Sequence, residues 1–208
     1  MKIMIVDDHA VVRKGLIQIL EEKPGIYTID EASSGDELIN KLKTNDYDVI
    51  ILDISMPGRD GLEVLKFLRN VKPNIPVLAF SMYPEEQYAI RLLKSGASGY
   101  LNKECPPEEF VKAIERVANG QKYVSPQLGE ILINNLGMQD APLHDALSDR
   151  EFQVMCMTAK GRTPTQISHD LSLSINTVST YRIRILEKLG LKNTAEITHY
   201  AIKNRLVE

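Results

Sequence analysis

The chain has 208 residues, 43% of them apolar and 25% charged, a balance that fits a soluble globular protein and excludes a disordered or fibrous one. Its longest strand-like apolar run, Val49 to Leu52, falls far short of the ~18–20 residues a membrane span needs, and the first strand begins almost at Met1 without a signal-peptide pattern, which points to a cytoplasmic protein with no membrane partner. The net charge of −3 conceals an asymmetry, since residues 147–208 carry nine Lys/Arg against six Asp/Glu and the first 146 residues carry 16 against 22; only the tail has a charge balance that suits nucleic acid.

Over the first 124 residues, short β-branched apolar runs alternate with helix-period segments, as expected of a parallel sheet covered by helices on both faces. The runs are Lys2 to Val6, a weaker one near Tyr27 to Ile29, Val49 to Leu52, Val77 to Phe80 and Gly99 to Leu101. Amphipathic stretches lie between them: Ala10 to Glu22 with Val12, Leu16, Ile19 and Leu20, Gly35 to Lys43 with Leu38, Ile39 and Leu42, and Gly61 to Asn70 with Leu62, Leu65 and Leu68. Five βα units result, the last helix running from Pro107 to Asn119 and stopped by Gly120. A short helix is expected over Gln127 to Leu136 and a linker over Gly137 to Ala146, which holds Gly, Pro and two Asp and no periodicity. From Leu147 onward only helices are expected. The two cysteines, Cys105 and Cys156, have neither disulfide-framework nor zinc-ligand spacing.

In an open parallel sheet chemistry gathers beyond the carboxyl ends of the strands. Strand one is followed by Asp7-Asp8, strand three by Asp53, strand four by Ser81 and strand five by Lys103. Any one of these alone reads as a cap, a turn former or a solvated charge. Five polar residues at four strand ends are hard to attribute to capping. Three carboxylates held together repel one another unless a cation shares the site, and a hard divalent ion, most simply Mg2+, meets that need. A carboxylate beside Mg2+, with a lysine and a hydroxyl in reach, is equipped to accept a phosphoryl group.

The segments Val6-Asp7-Asp8-His9, Leu52-Asp53-Ile54-Ser55-Met56-Pro57-Gly58, Gly61-Leu62, Phe80-Ser81, Gly96-Ala97-Ser98-Gly99-Tyr100-Leu101 and Lys103 resemble the receiver domain of two-component response regulators. That resemblance implies a flavodoxin-like, doubly wound five-stranded parallel sheet of order 2-1-3-4-5, with Asp53 as phosphoacceptor. It also implies Mg2+ held directly by Asp8, Asp53 and the Ser55 backbone carbonyl and through water by Asp7. Ser81 would bond the phosphoryl oxygens, Lys103 would pair with them, and Tyr100 would turn inward when Ser81 moves. Two departures stand out. Glu104 follows Lys103 where receivers commonly carry a cis-joined Pro, and a cis bond before a non-proline costs ~3 kcal/mol. Met82 and Tyr83, bulkier than the small residue receivers often place after Ser81, are expected to shield the phosphoryl group from water.

In the tail, Ser148 with Glu151 forms a capping box that opens a helix to about Lys160, ended by Gly161. Thr163 to Leu171 is a second helix, Ser172 to Ser174 a tight turn, Ile175 to Leu189 a third helix ended by Gly190, and Asn193 to Glu196 a second capping box that opens a fourth helix to about Asn204. This pattern fits either a plain helical bundle or a helix-turn-helix. At ~100° per residue, Val178, Ile185 and Leu189 face the core and Ser179, Thr180, Ile183, Arg184 and Glu187 project outward. An outward Ile183 makes sense in a major groove, where it can meet a thymine methyl while Arg184 reaches guanine. Arg182, Lys188 and Lys192, with Lys160 and Arg162, are expected at phosphates.

The run Leu147-Ser148-Asp149-Arg150-Glu151, then Gly161, Ile167, Leu171, Ser174, Asn176-Thr177-Val178, Tyr181, Ile185-Leu186-Glu187-Lys188-Leu189-Gly190 and Ala195-Glu196 resembles the LuxR-type DNA-binding domain, with Ser179 where many members carry Lys. Thr177, Ser179, Thr180, Tyr181, Arg182, Ile183, Arg184, Lys188 and Lys192 are the DNA-contact candidates. Receiver at 1–124, short helix and linker at 125–146 and an all-α four-helix helix-turn-helix domain at 147–208 together resemble the NarL/FixJ family. Such a protein would be a regulator rather than a turnover enzyme: a sensor histidine kinase would phosphorylate Asp53, and a homodimer would bind promoter DNA, with the transcription machinery as a further candidate partner. Two alternatives carry different expectations. A DNA-binding regulator could use the receiver as a dimerisation platform without phosphorylation. A Mg2+-dependent phosphohydrolase forming an aspartyl phosphate would want a second Asp two residues after Asp53, where Ser55 stands.

Overall fold

A computed structural model describes residues 1–23, 27–59, 61–135, 142–204 and 206–207. The described chain separates into two compact units, Met1–Ile131 and Leu132–Glu208.

The first unit is a five-stranded parallel sheet of order β2-β1-β3-β4-β5, built from β1 (Lys2–Val6), β2 (Thr28–Ala32), β3 (Val49–Asp53), β4 (Val77–Ser81) and β5 (Gly99–Asn102). The helices between and after them are α1 (Ala10–Glu21), α2 (Gly35–Lys41), α3 (Gly61–Val71), α4 (Glu85–Lys94) and α5 (Pro107–Ala118). Side chains alternate across a strand, so the two faces can be read separately. Ile3, Ile5, Val49, Ile51, Leu78 and Phe80 pack with Leu16 and Leu20 of α1 and with Phe110, Ala113, Ile114 and Val117 of α5. Met4, Val6, Ile50, Leu52 and Ala79, which alternate with them, are also buried, so the opposite face is covered too, with Leu38 of α2, Leu62, Val64, Leu65 and Leu68 of α3, and Ala89 and Leu92 of α4 buried there. Burial on both faces explains why the central strands are unbroken apolar runs. β2 is a different case. It lies at the sheet's edge, and its Thr-Ile-Asp-Glu-Ala sequence reaches three residues past the run read from sequence.

α6 (Pro126–Asn135) follows. Ser125, buried, accepts from the Leu128 N–H and donates to the Glu85 carboxylate at the start of α4, which ties the first turn of α6 to the receiver sheet's helical cover. Tyr123 bridges Gly99 beside β5, and its hydroxyl donates to Glu109 at 2.7 Å. Both cysteines are free thiols, Cys156 buried and Cys105 partly so.

The second unit holds a 3-10 turn over Leu143–Ala146, then α7 (Asp149–Ala159), α8 (Pro164–Asp170), α9 (Ile175–Leu189) and α10 (Thr194–Lys203). The last four residues of the expected linker are thus ordered, with the His144 N–H on the Tyr200 hydroxyl at 3.2 Å. Residues 137–141 of that stretch, and Leu136 at the end of the expected short helix, lie outside the described residues. Ser148 and Glu151 form the expected reciprocal capping box, as do Thr163 and Gln166. At α10 the box is shifted by one residue: Asn193 accepts from the Glu196 N–H, but the Glu196 carboxylate takes the N–H of Lys192 rather than that of Asn193. The α8–α9 turn passes through Ser172 at φ 53, and α9 ends on Gly190 at φ 66, a left-handed position that suits glycine. Val178, Ile185 and Leu189 of α9 face inward with Phe152, Val154 and Met155 of α7, Ile167 of α8, and Ile197 and Ala201 of α10 all buried.

Candidate functional site

The carboxyl edge of the sheet brings the strand-end residues together. Asp53 ends β3 and Ser81 ends β4, while Asp7 and Asp8 follow β1 and Lys103 follows β5. One carboxylate oxygen or ring nitrogen from each of Asp7, Asp8, His9 and Asp53 lies within 4.8 Å of the others. Asp7 and Asp53 are each only 1% exposed. Lys103 Nζ stands 2.6 Å from Asp7 Oδ2 and 2.9 Å from Asp53 Oδ2, so a single ammonium serves two carboxylates. The Ser55 N–H holds the other Asp53 oxygen at 3.0 Å, and the Arg13 guanidinium fixes the loop by donating to the Asp7 carbonyl at 2.7 Å. All described peptide bonds are trans, so Lys103 reaches the site with Glu104 behind it and without the cis joint.

Electrostatics here favour an additional cation. Burial pushes the Asp53 carboxyl above the ordinary value, the Lys103 charge opposes that rise, and the Asp7 charge adds to it. Burial also acts to lower the Lys103 ammonium, but Asp53 and Asp7 outweigh it and its pKa ends raised. Asp8 Oδ1 is buried without a hydrogen-bond partner. A buried Asp8 oxygen that makes no hydrogen bond and has the His9 ring nitrogen 3.1 Å away, beside the carboxylates of Asp7 and Asp53, is an oxygen-rich donor set that fits a hard divalent ion such as Mg2+.

The Ser81 hydroxyl accepts from the Tyr83 N–H at 3.1 Å. Tyr100, the expected switch aromatic, is fully buried, and its hydroxyl donates to the Tyr83 carbonyl. Asn102 Nδ2 donates to that same carbonyl at 3.2 Å. The β4–α4 loop is therefore held from both sides. Of the two residues expected to shield the site, Met82 is 59% exposed and the Tyr83 ring is stacked on Tyr88 at 4.3 Å between centroids. His9 and Asn102 did not emerge from the sequence reading. The first sits directly after Asp7-Asp8, and the second ends β5, so the strand-end rule, applied one residue more broadly, reaches both.

In the second unit α9 presents Asn176, Ser179, Thr180, Ile183, Arg184 and Glu187 to solvent, as the helical wheel requires, and Lys188 and Lys192, both exposed, lie nearby. Two of the expected phosphate contacts are engaged elsewhere. Lys188 Nζ is 2.6 Å from Glu151 Oε2, a carboxylate buried on α7, and Arg182 donates to the Thr194 hydroxyl at the start of α10. Lys188 compensates a charge that would otherwise be buried alone, and Arg182 anchors one helix to the next. Thr177 is likewise used in part at the helix start, where its N–H donates to the Ser174 side chain at 3.0 Å.

Comparison with known proteins follows the same division. Residues 3–115 match the response regulator receiver domain, and residues 145–201 match the bacterial regulatory proteins of the luxR family. The chain is 35% identical over 207 residues to the response regulator UvrY of Escherichia coli K12, covering 98% of this chain and 94% of the relative. It is 37% identical over 209 residues to the response regulator GacA of Pseudomonas protegens, covering 100% and 98%. Among solved structures, RcsB from Salmonella enterica serovar Typhimurium bound to promoter P1flhDC in the presence of phosphomimetic BeF3- superposes with a TM-score of 0.67 at 28% identity, over 96% of this chain and 97% of that one. Among the described residues, no helix is long and apolar enough to cross a membrane.

Proposed function

This chain belongs to the NarL/FixJ family of response regulators, transcription factors rather than turnover enzymes, in which a receiver precedes a LuxR-type DNA-binding domain, and on that premise we propose that phosphorylation of Asp53 controls its dimerisation and its affinity for promoter DNA in the cytoplasm. What supports this is the Asp53 carboxylate, buried at the sheet's edge among Asp7, Asp8 and His9 and 2.9 Å from Lys103. We assign residues 1–124 to the receiver, 125–146 to a short helix and linker, and 147–208 to DNA binding.

A sensor histidine kinase is the donor. An Asp53 oxygen attacks the phosphorus of its phosphoimidazole in line, the new P–O bond forms as the P–N bond breaks, and the departing ring nitrogen takes a proton. Asp8, Asp53 and the Ser55 carbonyl, with Asp7 through water, would hold Mg2+, which when bound would supply positive charge to the phosphoryl oxygens. Phosphorylation adds roughly two negative charges beside Lys103. Lys103 then pairs with the phosphoryl oxygens, and the Ser81 hydroxyl, which accepts from the Tyr83 N–H in this structure, donates to them. Because Tyr83 also holds the Tyr100 hydroxyl, motion of Ser81 is transmitted to the β4–α4 loop and to Tyr100. The receiver surface that changes is the one that pairs two chains.

A dimer presents two α9 helices to half-sites about one DNA turn apart, and attachment at two points raises affinity. Ser179, Thr180 and Ile183 face base edges, while Tyr181, Arg184 and Lys192, with Thr177 at the helix start, lie along the backbone. The test measures DNA binding and dimer fraction with and without Mg2+ plus a small phosphodonor, for wild type and Asp53→Asn. Both quantities are expected to rise in wild type only. DNA binding that ignores phosphodonor in both proteins overturns the switch and leaves the receiver as a platform.

A further inference from the structure

We infer that Ile183 determines DNA-sequence specificity, by packing on the 5-methyl of a thymine in each half-site, on a face of α9 that reads A·T rather than G·C. The inference rests on the DNA-binding reading above and specifies the base chemistry that α9 selects. Ile175, Ser179, Ile183 and Glu187 follow one another at four-residue intervals, so they form a single ridge along the helix. Ile175 is 49% exposed and Ile183 57% exposed, large apolar side chains on the second helix of a helix-turn-helix. Singly exposed apolar residues are common, but two on one ridge of a 15-residue helix, with only Ser179 between them, make an interrupted apolar stripe.

The polar residues of the same face narrow what the stripe can meet. The Ser179 hydroxyl donates to the Ile175 carbonyl at 3.0 Å, and the Thr180 hydroxyl donates to the Asn176 carbonyl at 2.9 Å. While each hydroxyl spends its one proton on the helix carbonyl, its oxygen is left to face outward as an acceptor. Guanine offers the major groove two acceptors, N7 and O6, which either hydroxyl can meet only by giving up its bond to the helix carbonyl. Adenine offers its N6 donor and its thymine partner offers a methyl. Ser179 or Thr180 can accept from adenine N6 while Ile183 covers the thymine methyl. Cytosine also has a donor, but it lacks the methyl that Ile183 needs. Basic side chains bracket the stripe, Arg184 beside it and Lys192 beyond the helix end, and their charge complements phosphate rather than an apolar protein surface.

The test uses the full chain with Mg2+ and a phosphodonor. Bound DNA is selected from a random library, and each thymine of the resulting half-site is then replaced by deoxyuridine, which removes the 5-methyl alone. One position is expected where deoxyuridine weakens wild-type binding about fourfold, the value of one buried methyl, and where the same replacement has no effect on Ile183→Ala. Ile183→Val, which keeps a branched apolar surface, is expected to retain most of the penalty. Ile183 is exposed, so the thermal midpoint of Ile183→Ala should match wild type. Selection of G·C at the steps facing α9, or an equal deoxyuridine penalty in wild type and Ile183→Ala, overturns the inference while DNA binding stands. Failure to select any DNA overturns the DNA-binding reading together with it.

Discussion

Lys103 places its ammonium 2.9 Å from Asp53 Oδ2, and both side chains are buried. The same nitrogen lies 2.6 Å from Asp7 Oδ2, so the lysine is the cation that lets two carboxylates share one edge of the sheet. Lys103→Met removes that ammonium, and burial together with the Asp7 charge then drives the Asp53 carboxyl still higher. The rate of phosphorylation from a small phosphodonor is expected to fall at least tenfold at neutral pH and to recover in part as pH rises and Asp53 ionises. An unchanged rate and pH profile would show that Lys103 does not control the Asp53 charge.

Gly61 opens α3 against the backbone of Asp53 and Ile54. A Cβ built there would lie 2.2 Å from the Asp53 carbonyl oxygen and 2.6 Å from Ile54 Cα, and both of those are backbone atoms. Gly61→Ala must therefore displace the end of β3. We expect a loss of roughly 1–3 kcal/mol in stability and slower phosphorylation. Gly15→Ala is the control, since nothing lies within 4 Å of its Cβ; in the interior of α1 it should add up to about 0.8–1.0 kcal/mol. Denaturant titration of the two variants checks the difference in sign.

Glu151 and Lys188 hold the DNA-binding unit together across α7 and α9. Burial acts to raise the Glu151 carboxyl, but Lys188 and the Ser148 N–H and hydroxyl outweigh it, and its pKa is lowered from 4.5. A group depressed by folding contributes stability above its unfolded pKa and loses that contribution as pH falls through the folded one. Lys188→Met is expected to cost about 2 kcal/mol at neutral pH, less than for a fully buried pair because Lys188 stays 40% exposed. The gap from wild type should narrow as pH falls below 4.5 and Glu151 protonates. Hydrogen exchange of the α7 amides at pH 7 and pH 3.5 measures it, and a gap independent of pH would rule out the ion pair as its source.

Ser125 caps α6 and reaches Glu85 of α4 in one step. Glu85→Gln keeps the cap and weakens only the link, whereas Ser125→Ala removes both, at about 1 kcal/mol for the cap. The first-turn amides of α6 are expected to exchange faster in both variants and fastest in Ser125→Ala. Equal exchange in wild type and Glu85→Gln would confine the role of Ser125 to capping.

Central strands, amphipathic helices and caps were legible in the residues because each is set by neighbours a few positions away. Val49 to Leu52 is unbroken because both faces of β3 are covered, and Ser148 to Glu151 closes its own box. The strand-end rule placed Asp7, Asp8, Asp53, Ser81 and Lys103 at one edge before any contact was known. β2 was read short because an edge strand carries a mixed sequence with no doubly buried run. The roles of the cations were beyond local reading. Nothing near Lys188 in sequence shows that Glu151 lies 2.6 Å away, and nothing near Arg182 shows that Thr194 receives it. A long flexible side chain takes the partner that packing brings within reach. Strand ends and helical periodicity are local, so the order of residues already puts these groups at the sheet edge and on the outer face of α9, whereas packing between distant elements sets which of their charges are paired, as Lys188 is by Glu151.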